Sequence, residues 1–223
     1  MPTAITCVYY IEVLSSWCHW AEPAWVELRE RYASRVDFQW RVALMRPEAF
    51  PVSASQCDWF YQRSGAHVES PYRLNSGWFE ADRAGHYEAP NWVAEAGRDF
   101  LGDADERIRL ALSEAAMRAG RKVGDLATSV EIAASATDLD PVKLRTAADS
   151  DAVRERVAAS TQRFFDHQLD QRPSFIIESE IGDKAIFSGL WKSDPLMSIL
   201  DSILDDHARQ TAHAKQFGGP PTV

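Results

Sequence analysis

The order in which hydrophobic periodicity changes along the chain is the feature that most restricts its fold. Residues 5–14, Ile-Thr-Cys-Val-Tyr-Tyr-Ile-Glu-Val-Leu, are rich in β-branched and aromatic types and read as a buried strand. From His19 to Tyr32 the spacing turns helical, with Trp20, Ala24, Leu28 and Tyr32 four apart. Val36 to Val42 then alternates apolar and polar and reads as a second strand. Strand, helix and strand in succession imply a parallel pair, because parallel partners need a crossover, and the crossover helix packs on one face.

Beyond Pro47 the chain reads as irregular and aromatic to about residue 90. Helical spacing then governs 91–101, 104–119, 125–136, 141–148 and 150–168, punctuated by Gly102, Gly120, Gly124, Asp140-Pro141 and Asp149. The strand signal returns in 174–178 and 184–188, joined by Ile181-Gly182-Asp183 as a hairpin-like turn. Ser193 reads as an N-cap with Pro195 in the first turn of a last helix to about His207, and the tail from Gln216, with Gly-Gly-Pro-Pro, reads as mobile. The sum is an α/β chain with a helical block in its middle.

Composition narrows the function. At 223 residues, 45% of them hydrophobic, the chain can bury one core plus a satellite. A net charge of −9 argues against a nucleic-acid partner, whose phosphates need a basic face. The N-terminus has no basic segment and its apolar run is interrupted by Glu12, which argues against a signal peptide; no run approaches ~18 apolar residues, so no membrane span is expected. Three scattered cysteines, Cys7, Cys18 and Cys57, make no disulfide framework and point to a reducing cytoplasm. The six histidines lack metal-ligand spacing, so no metal is expected, and Gly120 to Gly124 lacks the spacing of a phosphate loop.

The chemistry is carried by Ser15-Ser16-Trp17-Cys18, at the junction of strand and helix. A helix N-terminus lowers the pKa of a thiol and stabilises a developing anion. A serine in the leading place cannot join a disulfide, so Ser15 and Cys18 cannot run a dithiol cycle between them. Ser15 reads either as a plain N-cap or as a donor to a bound thiolate; Cys18 as a small buried hydrophobe or as a lone nucleophile. His19, next in the chain, is an inert neighbour or a base that tunes Cys18. Trp17 and Trp20 are core or pocket wall, as are Trp59, Phe60, Trp78, Phe79 and Trp92; Cys7 reads as core and Cys57 has no assigned role.

Glu12-Val13-Leu14-Ser15-Ser16-Trp17-Cys18 resembles the active-site segment of the DsbA superfamily, where an acidic residue precedes C-P-W-C. It is still more similar to that of the kappa-class glutathione transferases and 2-hydroxychromene-2-carboxylate isomerases, which carry D-V-L-S-P-Y or D-F-L-S-P-F. Gln171-Arg172-Pro173-Ser174-Phe175-Ile176-Ile177 resembles the family's cis-proline segment V-P-[ST]-F-V-I, and Pro90-Asn91 its first insertion helix. The resemblance implies a thioredoxin-like fold with a large all-helical insertion: residues 1–60 and 169–210 for the first, 61–168 for the insertion, and 211–223 as tail. It implies Ser15 as the catalytic serine and glutathione as cofactor, with Arg172, Pro173, Ser174, Gly189 and Lys192 as contacts. Trp17, Trp20 and Asn91 then border a small aromatic or thiol substrate, and a homodimer is suggested. Three functions fit: a glutathione-linked isomerase or transferase, a thiol-disulfide oxidoreductase working through Cys18, and a non-catalytic binding module.

Overall fold

The computed structural model describes residues 4–218. Four strands form one mixed sheet in the order β2-β1-β3-β4: β1 Ile5–Ile11, β2 Asp37–Val42, β3 Ser174–Ser179 and β4 Lys184–Ser188. β1 runs parallel to β2 and antiparallel to β3, and β3 runs antiparallel to β4. The crossover from β1 to β2 is α1, Ser16–Tyr32. The last helix, α8, covers Ser193–Phe217.

Alternation in β1 divides the core. Ile5, Cys7, Tyr9 and Ile11 join α1 and α8 in the main cluster, where Tyr9 stacks on Phe175 at 4.8 Å and meets Trp25 at 4.9 Å. Tyr10 faces the other way, onto Phe164, Leu169 and Ile176. Phe164 belongs to α7, Asp151–Asp166, which covers that second face. A sheet buried on both faces explains why residues 5–14 read as a near-continuous apolar run.

The connection between β2 and β3 carries α2 Ala54–His67, α3 Ala89–Leu101, α4 Arg107–Met117, α5 Leu126–Thr137, α6 Pro141–Ala148 and α7. α3 is the hub, in contact with α4, α5, α6 and α7. At Gly97 a β-carbon would stand 2.3 Å from Ile108 Cδ1, so a larger residue at this α3/α4 crossing would force the end of the Ile108 side chain to turn away.

α4 is tied to α1 by buried charge. The Arg109 guanidinium donates to Glu22 at 2.6 Å and to Glu106 at 2.7 Å, and Trp25 Nε1 donates to Glu106 at 2.6 Å. Arg29 closes the group from α1.

The sequence reading departs from this architecture in four places. β1 ends at Ile11 rather than residue 14, because Glu12 folds back to accept from the Leu14 amide while Ser15 N bonds Glu12 O. α2 fills part of the stretch read as irregular, and the expected domain boundary at 60/61 falls inside it. Lys192, not Ser193, occupies the N-cap of α8, since Ser193 already has helical geometry and its Oγ donates to Glu27. α8 runs ten residues past His207, so 211–217 are helix; the rest of the expected tail, 219–223, lies outside the described residues.

Candidate functional site

Ser15 is the N-cap of α1: its backbone is extended and its Oγ accepts from Cys18 N at 3.4 Å. The amides of Ser16 and Trp17, in the first turn, have no intrahelical acceptor by construction. These groups form one wall of a cavity of about 150 Å³. Leu14, Met45, Phe50, Pro51, Phe60 and Trp78 supply most of its apolar lining, with Cys57, Tyr61 and Arg63 from α2. Ser15 itself is only 7% exposed. A positive helix end facing a mostly apolar cavity is suited to hold a soft anion such as a thiolate.

Behind that turn lies a buried carboxyl. Glu12 Oε1 accepts from Asn91 Nδ2 at 2.6 Å and Oε2 accepts from Leu14 N at 2.9 Å, while Asn91 Oδ1 accepts from Val13 N at 3.2 Å. Asn91, on α3, thereby grips the backbone of the turn from the insertion. Burial pushes the Glu12 carboxyl up to about 7, against the two N–H donors that favour its charge.

Cys18 is 3% exposed, lies outside the cavity lining, and gives its carbonyl to Tyr9 Oη at 3.1 Å. Burial pushes its thiol up to about 12, with Ser15 and the Glu12 backbone pulling the other way. It packs as core. His19 turns away from the cavity, bonds Tyr72 Oη at 2.9 Å, and is brought down to about 4 by burial and the Arg118 guanidinium. It is therefore neutral at ordinary pH and remote from Ser15's open side.

Among the remaining residues singled out from the sequence, Trp17 lines the cavity, its ring edge-on to His67 at 5.5 Å. Trp20 does not: its Nε1 donates to Ser64 at 3.1 Å, and it borders a second, shallower groove beside Tyr72, Trp191 and Lys192. Asn91 holds the turn rather than lining the pocket. Arg172, expected to meet a ligand carboxylate, is 8% exposed and points inward. It donates to the carbonyls of Ala43 at 2.7 Å, Leu44 at 2.6 Å and Asp170 at 3.0 Å, over the Phe164 ring. Its bond to Pro173 is cis. Ser174 donates to Gln171 O at 2.6 Å, and Gly189, at φ +70°, donates its amide to Pro173 O at 2.8 Å. Lys192 is exposed above Trp191.

Tyr61 and Arg63 were missed, and Cys57 was left without a role, because α2 was missed. Its buried positions Cys57, Tyr61 and Ser64 follow helical spacing, but Trp59, exposed on another face, obscures the stripe. One signal was legible: Ser53-x-x-Gln56 is a capping-box sequence, and Ser53 Oγ accepts from Gln56 N at 3.1 Å while Gln56 Oε1 accepts from Val52 N at 2.7 Å. Among the described residues no group of three or more His, Cys, Asp or Glu is placed to hold a metal, and no helix is long and apolar enough to cross a membrane.

Neither a protein-family model nor a curated protein sequence matches the chain. Solved structures do. A protein from Nitrosomonas europaea, described as a candidate protein disulfide isomerase, shares 17% identity over 91% of this chain and 98% of its own, with a TM-score of 0.73. The cytosolic disulfide reductase DsbM from Pseudomonas aeruginosa, solved with GSH, shares 16% over 90% and 99%, with a TM-score of 0.66. A 2-hydroxychromene-2-carboxylate isomerase shares 16% over 93% and 98%, with a TM-score of 0.60. With β-α-β, an inserted helical block and a closing β-β-α unit, the chain has the fold of the DsbA superfamily, a thioredoxin-like domain interrupted by a helical insertion.

Proposed function

We propose that this chain is an enzyme of thiol chemistry, a glutathione-linked isomerase or transferase in which Ser15 and the N-terminus of α1 hold a thiolate against an apolar substrate. The carrying observation is the cavity that opens on Ser15 and leaves out Cys18. A serine hydroxyl and free first-turn amides lower a bound thiol's pKa by stabilising the anion, without becoming covalent. The thiolate supplies the nucleophile; the chain orients it and keeps water away.

Glutathione fits the sulfur end of this site. At the peptide end Arg172 is committed to backbone carbonyls; Arg63 lies in the cavity wall and Lys192 borders the neighbouring groove, and these two cations are proposed to meet the carboxylates. Two fold neighbours support the reading by what their own descriptions say: one was solved with GSH, another is an isomerase. The oxidoreductase alternative rests on names alone, because a thiol held near 12 is almost wholly protonated and gives little thiolate nucleophile. A cytoplasmic setting is proposed with it, on the three unpaired cysteines and the cytosolic description of DsbM.

The test is a thermal shift with reduced glutathione at several millimolar. At ten times Kd, mass action adds about 1.4 kcal/mol, or roughly 3–6 °C for a chain of this size. Ser15→Ala should abolish the shift and Cys18→Ala should keep it; the reverse pattern overturns the proposal.

A further inference from the structure

We infer that the cavity between α1 and α2 binds a compact thiol, the size of a single aromatic ring, as its thiolate held between two hydroxyl donors, Ser15 and Tyr61. The inference rests on the thiolate-holding role of Ser15 and adds the size of the ligand and a second donor.

Size comes first. A cavity near 150 Å³ with apolar walls accommodates a benzene-sized molecule. A tripeptide seated there would leave most of its atoms outside.

Tyr61 is 4% exposed and lines the cavity from α2. Its Oη accepts from Trp78 Nε1 at 2.6 Å, and among the described residues its proton meets no nitrogen or oxygen acceptor. A phenol that accepts a strong hydrogen bond becomes a better donor through cooperative polarisation. One helical turn earlier stands Cys57, which lines the same cavity. Arg63, over the rings of Trp59 and Phe60 at 5.1 and 5.5 Å, adds positive potential on this side. Binding breaks the ligand's S–H bond, with the sulfur keeping the electron pair and the proton passing to buffer.

The experiment titrates the full chain with thiophenol, with thioanisole as the ring that cannot ionise, and with reduced glutathione. It reads heat, thiolate absorbance and proton release across buffers. Titrated below the pKa of the free thiol, thiophenol should bind with proton release and thioanisole at least tenfold more weakly. Tyr61→Phe keeps the ring but strands the buried Trp78 N–H, so it should lower the melting temperature; in the folded fraction it should weaken thiophenol about tenfold, as loss of one charge-assisted hydrogen bond predicts. Equal binding of thioanisole, or undiminished binding by Tyr61→Phe, overturns the inference. Binding of glutathione without thiophenol overturns it and leaves the glutathione-linked function standing; binding of neither thiol overturns both.

Discussion

Glu12→Gln tests whether the buried carboxyl behind the active turn is as perturbed as its surroundings imply. In the unfolded chain this proton leaves near pH 4.5, while the folded chain keeps it to about 7. Between those values the native state holds more protons than the unfolded one, so stability falls as pH rises. From pH 5 to pH 8 the loss due to this group is about 2.5 kcal/mol. The glutamine removes that loss but introduces a fixed one. Leu14 N and Asn91 Nδ2 both donate to the carboxylate, and an amide offers one oxygen where two are needed. One donor then faces another, at a cost of roughly 1–3 kcal/mol independent of pH. The variant should therefore be less stable than the parent at pH 5, with the two curves meeting or crossing by pH 8. Urea unfolding of both proteins at pH 5, 6, 7 and 8 measures this. Parallel curves across that range would refute the reasoning, because they would mean that Glu12 ionises alike in folded and unfolded chains.

Three further outcomes follow from buried groups. Arg172→Ala should cost about 2–4 kcal/mol in urea, by stripping donors from the carbonyls of Ala43, Leu44 and Asp170, and should leave thiol affinity in the folded fraction unchanged. Arg109→Ala should cost about 3–5 kcal/mol, since Glu22 and Glu106 lose the cation between them, and a melting temperature within error of the parent would contradict this. Cys7, Cys18 and Cys57 are all buried, so a disulfide reagent such as Ellman's should report little fast reaction natively and three thiols after unfolding; rapid labelling of Cys18 in the native protein would restore it as a nucleophile.

The strand, helix and strand opening, five of the six inserted helices and the closing hairpin were legible because each buries a face whose period shows in the residues. Asp140-Pro141 and Asp149 break the helical spacing in the sequence, and α6 and α7 begin within two residues of those breaks, capped by Asp140 and Ser150. The Ser15 position was legible for the same reason: an apolar strand followed by a cap and helical spacing admits one kind of turn. What a side chain does once it arrives is another matter. Arg172 and Lys192 are both cations near the C-terminal motifs, and only packing turns one inward onto three carbonyls and leaves the other on Trp191. Asn91 is 79 residues from Glu12 in the chain and 2.6 Å from it in space.

The sequence by itself determined the layer order and the helix start at Ser15, since periodicity and capping are local properties. Tertiary structure alone decided that α2 closes a cavity over that start, with Tyr61 and Cys57 in its wall, and that Cys18 faces the core. Burial and the direction a side chain points depend on which distant segments share the space, and that sum over the whole fold is not written in any one stretch of the chain.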